Sequence, residues 1–410
     1  MNAPASPAPA IVQASARVRS VDALRGFDMF WILGAATLGR AFGKMGDNAV
    51  TRLLSGQLEH SQWVGVRFYD LIFPLFLFLM GVSIVFSLDK ALIHERRGPV
   101  IARILRRSVL LFLFGVFYSG GLSHRWPDVA LGGVLQRIAA CYLCAALIYY
   151  GCASRLKVIA TIAVVLLAGY WALLTFVPFP DLRLDRPVVD ELAARIGSNS
   201  PAALAAATPE RVQGIYEEGR NLANYLDFRF LPGKKLQFYY INEGLLSTLP
   251  SVAICLFGIF GGRLLKDPDI AGPRKVIWLL AAGAAAVALG CLWGFQFPLI
   301  KRIWTSSFIL VSSGYSAMML GLFYGIVDVC GFDRWCEPFV WIGMNPITLY
   351  LTFNVFSFTQ VAERLAGGDI KAFLNAQAQG LGELVVVLVG LGLVFLLAWF
   401  LHRRRIFLRV

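Results

Sequence analysis

Charge is scarce in this sequence, and its scarcity excludes more than any motif does. Only 15% of the 410 residues are Asp, Glu, Lys or Arg, 58% are hydrophobic, and the mean hydropathy is +0.66. A soluble domain is about a quarter charged and roughly half apolar. Histidine is scarcer still: His60, His94, His124 and His402 lie far apart, which argues against a histidine metal site. The cysteines fall mostly inside apolar runs, as Cys141, Cys144, Cys255 and Cys291 do, so Cys141-x-x-Cys144 reads as packing. No Walker A or G-x-G-x-x-G segment opens a helix, and no G-x-S-x-G elbow occurs. Nucleotide hydrolysis has no support. No internal repeat is evident, which counts weakly against a carrier built from inverted repeats.

What is present is a series of apolar runs that approach or exceed the roughly 18–20 residues needed to cross a bilayer. The expectation is an all-α, polytopic transmembrane helix bundle of about ten spans. They fall at about 21–42, 70–88, 108–120, from 132 onward, 158–177, 243–265, 276–297, 304–327, 339–358 and 381–401. The third is short unless Ile101–Arg107 extends it. Residues 1–16, rich in Ala, Pro and Ser, read as a disordered cytoplasmic tail, and 17–410 as one domain. Residues 178–240 carry six prolines and form a polar extramembrane loop with short helices of its own. Its stretch 224–240 is aromatic-rich. The formal net charge of +13 is explained by loops: 89–107, Arg155 with Lys157, 263–275 and Arg403–Arg405 are basic. The positive-inside rule then makes both termini cytoplasmic and puts His60, His124 and the 178–240 loop on the far side.

Polar groups at span boundaries are the candidates for chemistry. His60 precedes the second span and Asp70 opens it. If 61–69 were helical, ten residues would rise about 15 Å, so a direct contact needs the segment to fold back. A solvated loop histidine is the plain alternative. His124 is the rival, whereas His94 and His402 sit in basic, solvated surroundings. Arg137 is the most expensive intramembrane residue, at about 2.5–3.5 kcal/mol or more near a helix centre. It must meet carbonyls, a phosphate or a carboxylate such as Asp22, Asp28 or Glu243. Asp22, Arg25 and Asp28 share one helix face, either as a snorkelling salt bridge or as the lining of a cavity mouth. Gln136, Asn345 before Pro346, and Trp304 with Ser306 and Ser307 complete a polar interior.

Taken in order, R-x-R-SVDALRG, EHSQW, YDLIFPLFLFLMGVSI, GVLQRI, EGLLSTLPS and W-x-GMNPI resemble the heparan-α-glucosaminide N-acetyltransferase family with its bacterial NagX-type inner-membrane relatives. The resemblance runs from about residue 17 to 410, and its several blocks occur in one order. It implies acetyl transfer across a bacterial inner membrane, from cytoplasmic acetyl-CoA to the amine of glucosamine or a terminal amino sugar on the periplasmic side, by a homodimer with no metal. By the match of the E-H-x-x-W block, His60 inherits the catalytic role and Asp70 joins it. Arg25, Gln136, Arg137, Trp304 and Asn345 become expected cofactor-binding residues, and Trp63 and Glu243 expected substrate-binding residues. The lysosomal enzyme has an asparagine near the far end of the first span. Here that region reads LGAATLGRAFG, with none, so another group must polarise the thioester. His60 as a general base and His60 as an acetyl carrier both fit. The CoA phosphates would meet Arg25, Arg103, Arg106 or Arg107. The alternative from another class is a carrier for N-acetylglucosamine or chitin-derived sugars, and a third is a catalytically silent relative.

Overall fold

The computed structural model describes residues 18–94, 97–123, 125, 126, 128–153, 155–235, 237 and 239–408. The 1–16 tail and His124 lie outside them. The helices are α1 (Arg19–Lys44), α2 (Ala49–Gln57), α3 (Ile72–His94), α4 (Arg97–Tyr118), α5 (Val134–Cys152), α6 (Leu156–Phe176), α7 (Arg186–Ile196), α8 (Pro201–Ala206) and α9 (Leu222–Phe230). They continue with α10 (Thr248–Lys266), α11 (Gly272–Gly294), α12 (Ser306–Tyr324), α13 (Glu337–Gly343), α14 (Pro346–Val355), α15 (Phe358–Ala366), α16 (Asp369–Gln377) and α17 (Leu381–Arg403). Among the described residues, seven helices are long and apolar enough to cross a membrane: α3, α5, α6, α10, α11, α12 and α17. At 26 and 22 residues α1 and α4 are as long, but they carry more charge. The chain is therefore a helical bundle of the polytopic membrane type.

The long helices alternate in direction, which sorts the connections onto two ends. At one, the basic end, Asp89 at the end of α3 meets Arg263 and Lys266 at the end of α10. There Arg19 meets Asp333 and Glu337, and Asn345 holds the chain after α17. The other, the loop end, carries residues 45–71, 119–133, 177–247 and 295–305. Close packing between the helices relies on glycine. A Cβ on Gly81 would sit 2.0 Å from the Cys255 carbonyl oxygen, and one on Gly258 2.0 Å from that of Phe78. This pair lets α3 and α10 touch backbone to backbone, as small residues do where no hydrophobic effect drives helices together. Gly26 and Gly343 do the same for α1 and α13.

Residues 177–247 form a cap with its own small core of Leu182, Leu184, Leu204 and Phe228. Asp185 and Asn221 accept backbone N–H bonds at the starts of α7 and α9. A short antiparallel pair, β1 (Phe179–Pro180) and β2 (Arg211–Val212), and a two-pronged Arg220–Asp181 bond at 2.6 and 2.8 Å close it.

Several expected boundaries move. The third span does extend, through Arg97. The sixth begins at Thr248, not at Glu243, which lies in a turn whose carbonyls are used by Arg137. The eighth begins at Ser306, after Trp304. The ninth is broken between α13 and α14, because Asn345 precedes Pro346 and leaves the helical region at φ −133°, ψ 44°. The segment between the last two spans folds as α15 and α16, which no apolar run announced.

Candidate active site at the loop end

Residues 58–71 contain the fold-back that an unbroken helix would forbid. After α2 the chain turns irregularly to a short 3-10 turn, Phe68–Leu71, that leads into α3. Gly65, at φ +113°, permits the reversal. Its N–H donates to the Leu299 carbonyl at 2.9 Å, which clasps this segment to the α11–α12 connection.

Asp70 is the centre of the turn and is fully buried. Its Oδ2 accepts the N–H groups of Ser61 at 3.1 Å and Arg67 at 3.0 Å. Its Oδ1 lies 2.9 Å from His60 Nδ1. An ionised carboxylate accepts only, so Nδ1 carries the proton and Nε2 is left as the basic nitrogen. The imidazole stacks on Tyr69 at 4.4 Å and 9°. Its side chain is 46% exposed, so a substrate can reach Nε2.

Lys301 completes the cluster. Its Nζ lies 3.2 Å from His60 Nε2, 3.0 Å from Nδ1 and 3.7 Å from Asp70 Oδ1. Burial holds its ammonium below the ordinary lysine value, against the opposing pull of the Asp70 and Glu243 carboxylates. The turn that presents it ends in Trp304, which is buried at φ +54°. A bulky residue there is strained, and such strain persists only where the surroundings enforce it. Here Phe73 and Phe308 wedge the indole edge-on, and the Arg137 guanidinium lies 4.6 Å from its ring centre.

Arg137 is satisfied on one side only. Its Nη2 donates to the carbonyls of Asn242 and Gly244, both at 3.2 Å, and to Ser247 Oγ. Its Nε and Nη1 are buried with no hydrogen-bond partner. Buried donors of a cation are rarely left so, which points to a group that is added in function. Glu243 stands within electrostatic reach of both Arg137 and Lys301. Further into the bundle lies a small apolar pocket of about 20 Å3, lined by Met29, Phe73, Val134, Ile138, Pro346 and Tyr350 among others.

The expected site residues thus divide. His60, Asp70, Arg137, Trp304 and Glu243 gather at the loop end. Arg25 lies towards the basic end, where it donates to Ser83 Oγ at 2.7 Å and to the Gly343 carbonyl. Asn345 is there too, holding Ile406 and Leu408 by their backbone at 3.0 and 3.3 Å. Gln136 bonds the Ala130 carbonyl at 3.4 Å, closing the loop before α5. Trp63 donates from its indole to the Tyr216 carbonyl at 2.7 Å and so fastens the cap to the site. Asp28 is fully buried with neither carboxylate oxygen hydrogen-bonded. Lys301 escaped sequence reasoning, although a signal existed: a Lys-Arg pair at a span start on the side where the positive-inside rule expects few. Among the described residues, no group of three His, Cys, Asp or Glu could hold a metal.

Residues 17–186 match the model of a family described as a domain of unknown function, DUF5009. The human heparan-alpha-glucosaminide N-acetyltransferase is 26% identical over 396 residues, covering 83% of this chain and 53% of that protein. The mouse protein of the same name is 27% identical over 352 residues, covering 72% of this chain and 49% of its own length. The chain spans about half the length of these curated relatives. The chain is thus similar, through most of its length, to the heparan-alpha-glucosaminide N-acetyltransferases.

Proposed function

We propose that this chain is a membrane acetyltransferase that moves acetyl from acetyl-CoA to the amine of glucosamine or a terminal amino sugar. The observation that carries the reading is the His60–Asp70–Lys301 cluster, in which a buried carboxylate holds an accessible imidazole, beside an arginine with buried open donors. In this reading the basic end is cytoplasmic, both termini lie there, and the loop end faces the periplasm of a bacterial inner membrane. The broken α13–α14 pair, α1 and α4 then join the seven apolar helices to give about ten spans, and two copies form a homodimer.

Acetyl-CoA supplies an acyl group activated as a thioester. Arg25 and the exposed Arg103 and Arg106 of α4, with Arg107, are the cations suited to its phosphates. At the loop end His60 Nε2 takes the proton from the attacking amine as its nitrogen bonds to the carbonyl carbon. Asp70 keeps the imidazole in the right tautomer and offsets the charge it gains. The C–S bond breaks and the sulfur takes a proton. The carbonyl oxygen, which gains charge in between, needs a positive donor. Lys301 Nζ, 3.2 Å from His60 Nε2, fills that need in a chain without the first-span asparagine. Transfer is direct, because both reactants can approach one face of one imidazole. Trp63 and Glu243 contribute to the sugar side, with Glu243 oriented to the ammonium before it loses its proton.

The test is turnover by purified protein in detergent with labelled acetyl-CoA and glucosamine. Acetylated sugar is the expected product. No turnover across a panel of amino sugars, together with uptake of N-acetylglucosamine into proteoliposomes, would replace the enzyme by a carrier.

A further inference from the structure

Two cavities away from the site adjoin each other. At the basic end an open pocket of about 580 Å3 is lined by Asp89, Arg263, Lys266, Asp267, Phe260, Leu264 and Trp278, among others. A second, of about 310 Å3, is shared by α10, α11 and α12 and is walled by small or apolar residues, including Gly261, Ala282, Ala286 and Ala317. Phe260, Leu264 and Trp278 line both, so the two form one amphipathic recess.

The polar part is a built cluster. The Asp89 carboxylate takes the Tyr149 hydroxyl on Oδ1 and Lys266 Nζ on Oδ2, with Arg263 Nη1 at 3.5 Å. Both cations face the Asp89 carboxylate and Asp267 also lines the pocket, so its charges balance, while Arg263 is 40% exposed. A planar guanidinium matches a phosphate better than any other common anion. The groove walls then run from Trp278 to Ala286 along α11, about 12 Å at the helical rise. That is close to the depth of one leaflet, half of a roughly 30 Å hydrocarbon core. Ser313 lines the groove with a buried hydroxyl that has no hydrogen-bond partner. Trp278, 53% exposed, stands where tryptophans mark the membrane interface.

We propose that this recess holds one glycerophospholipid, its phosphate on Arg263 and Lys266 and an acyl chain between α10, α11 and α12. The exposed Arg263 guanidinium at the mouth of a leaflet-deep groove selects this occupant. Neither a free anion nor a neutral lipid uses both parts. The site is independent of acetyl transfer.

The test measures the melting temperature of detergent-purified protein against dioleoylphosphatidylethanolamine, dioleoylglycerol and inorganic phosphate, with native mass spectrometry to count retained lipid. Wild type should show a saturable rise with the phospholipid and little with the other two. Arg263→Gln and Ala282→Phe, one at each part of the recess, should each weaken the response at least about tenfold, the scale of one charge-assisted bond. If Arg263→Gln does not fold, Ala282→Phe decides alone. Equal responses in wild type and variants, or a rise reproduced by phosphate alone, would overturn the proposal. So would an Ala282→Phe protein that keeps its lipid response but changes oligomeric state, which would give the groove to a second copy.

Discussion

The two ends of the bundle use charge in opposite ways. At the basic end Arg19 is saturated: its side chain meets Asp333 at 2.7 Å and Glu337, and Asp328 accepts the N–H groups of Arg19 and Ser20 that open α1. These carboxylates take up the charge of Arg19, and the cluster ties α1 to the start of α13. At the loop end the charges are held but not used up. His60 keeps Nε2 accessible, Lys301 reaches His60 Nε2 at 3.2 Å and Asp70 at 3.7 Å, and Arg137 has two buried nitrogens without partners. Saturated ion pairs fix helices. Groups that are gripped firmly on one side and left open on the other are what a bond-making site needs.

The comparison can be broken from the loop end first. Asp70→Asn should lower kcat by roughly a hundredfold to ten-thousandfold, with a small change in KM, because the amide can present the wrong partner to Nδ1. Equal loss through KM would make Asp70 a packing residue. Lys301→Met should cost about a hundredfold to a thousandfold in kcat, the size of a lost oxyanion donor. Its pH dependence sharpens the assignment. Burial depresses the Lys301 pKa, so its positive charge disappears as pH rises through a value below the ordinary ~10.4. Activity should therefore fall on the alkaline side at that lower pH. In Lys301→Arg, which stays charged, that limb should vanish even if the absolute rate drops. At the basic end the effects should be small. Arg19→Ala removes partly exposed pairs worth about 0–1 kcal/mol, so melting should shift slightly and kcat should hold. A tenfold loss of kcat there would deny the division between the ends.

Much of this was legible in the sequence. Apolar runs fix where the long helices lie, because span length and hydropathy are local properties. The boundaries that moved did so for non-local reasons: Glu243 leaves its helix because Arg137, on α5, claims the neighbouring carbonyls. Pro346 is a local signal, and it broke the ninth span where the residue before a proline should. The contact of His60 with Asp70 was out of reach of spacing alone, since it depends on the turn at Gly65 and its bond to Leu299, some 230 residues away. Lys301 was missed for the same reason. Only folding brings the α11–α12 connection over the imidazole.

The most direct measurement of the central claim is acetyl transfer from labelled acetyl-CoA to glucosamine by wild type and by His60→Ala, purified in the same detergent and matched for melting temperature. Wild type should yield acetylated sugar, and the variant at least about a hundredfold less. A folded His60→Ala protein that acetylates at the wild-type rate would contradict it, and would move the chemistry away from the loop-end cluster.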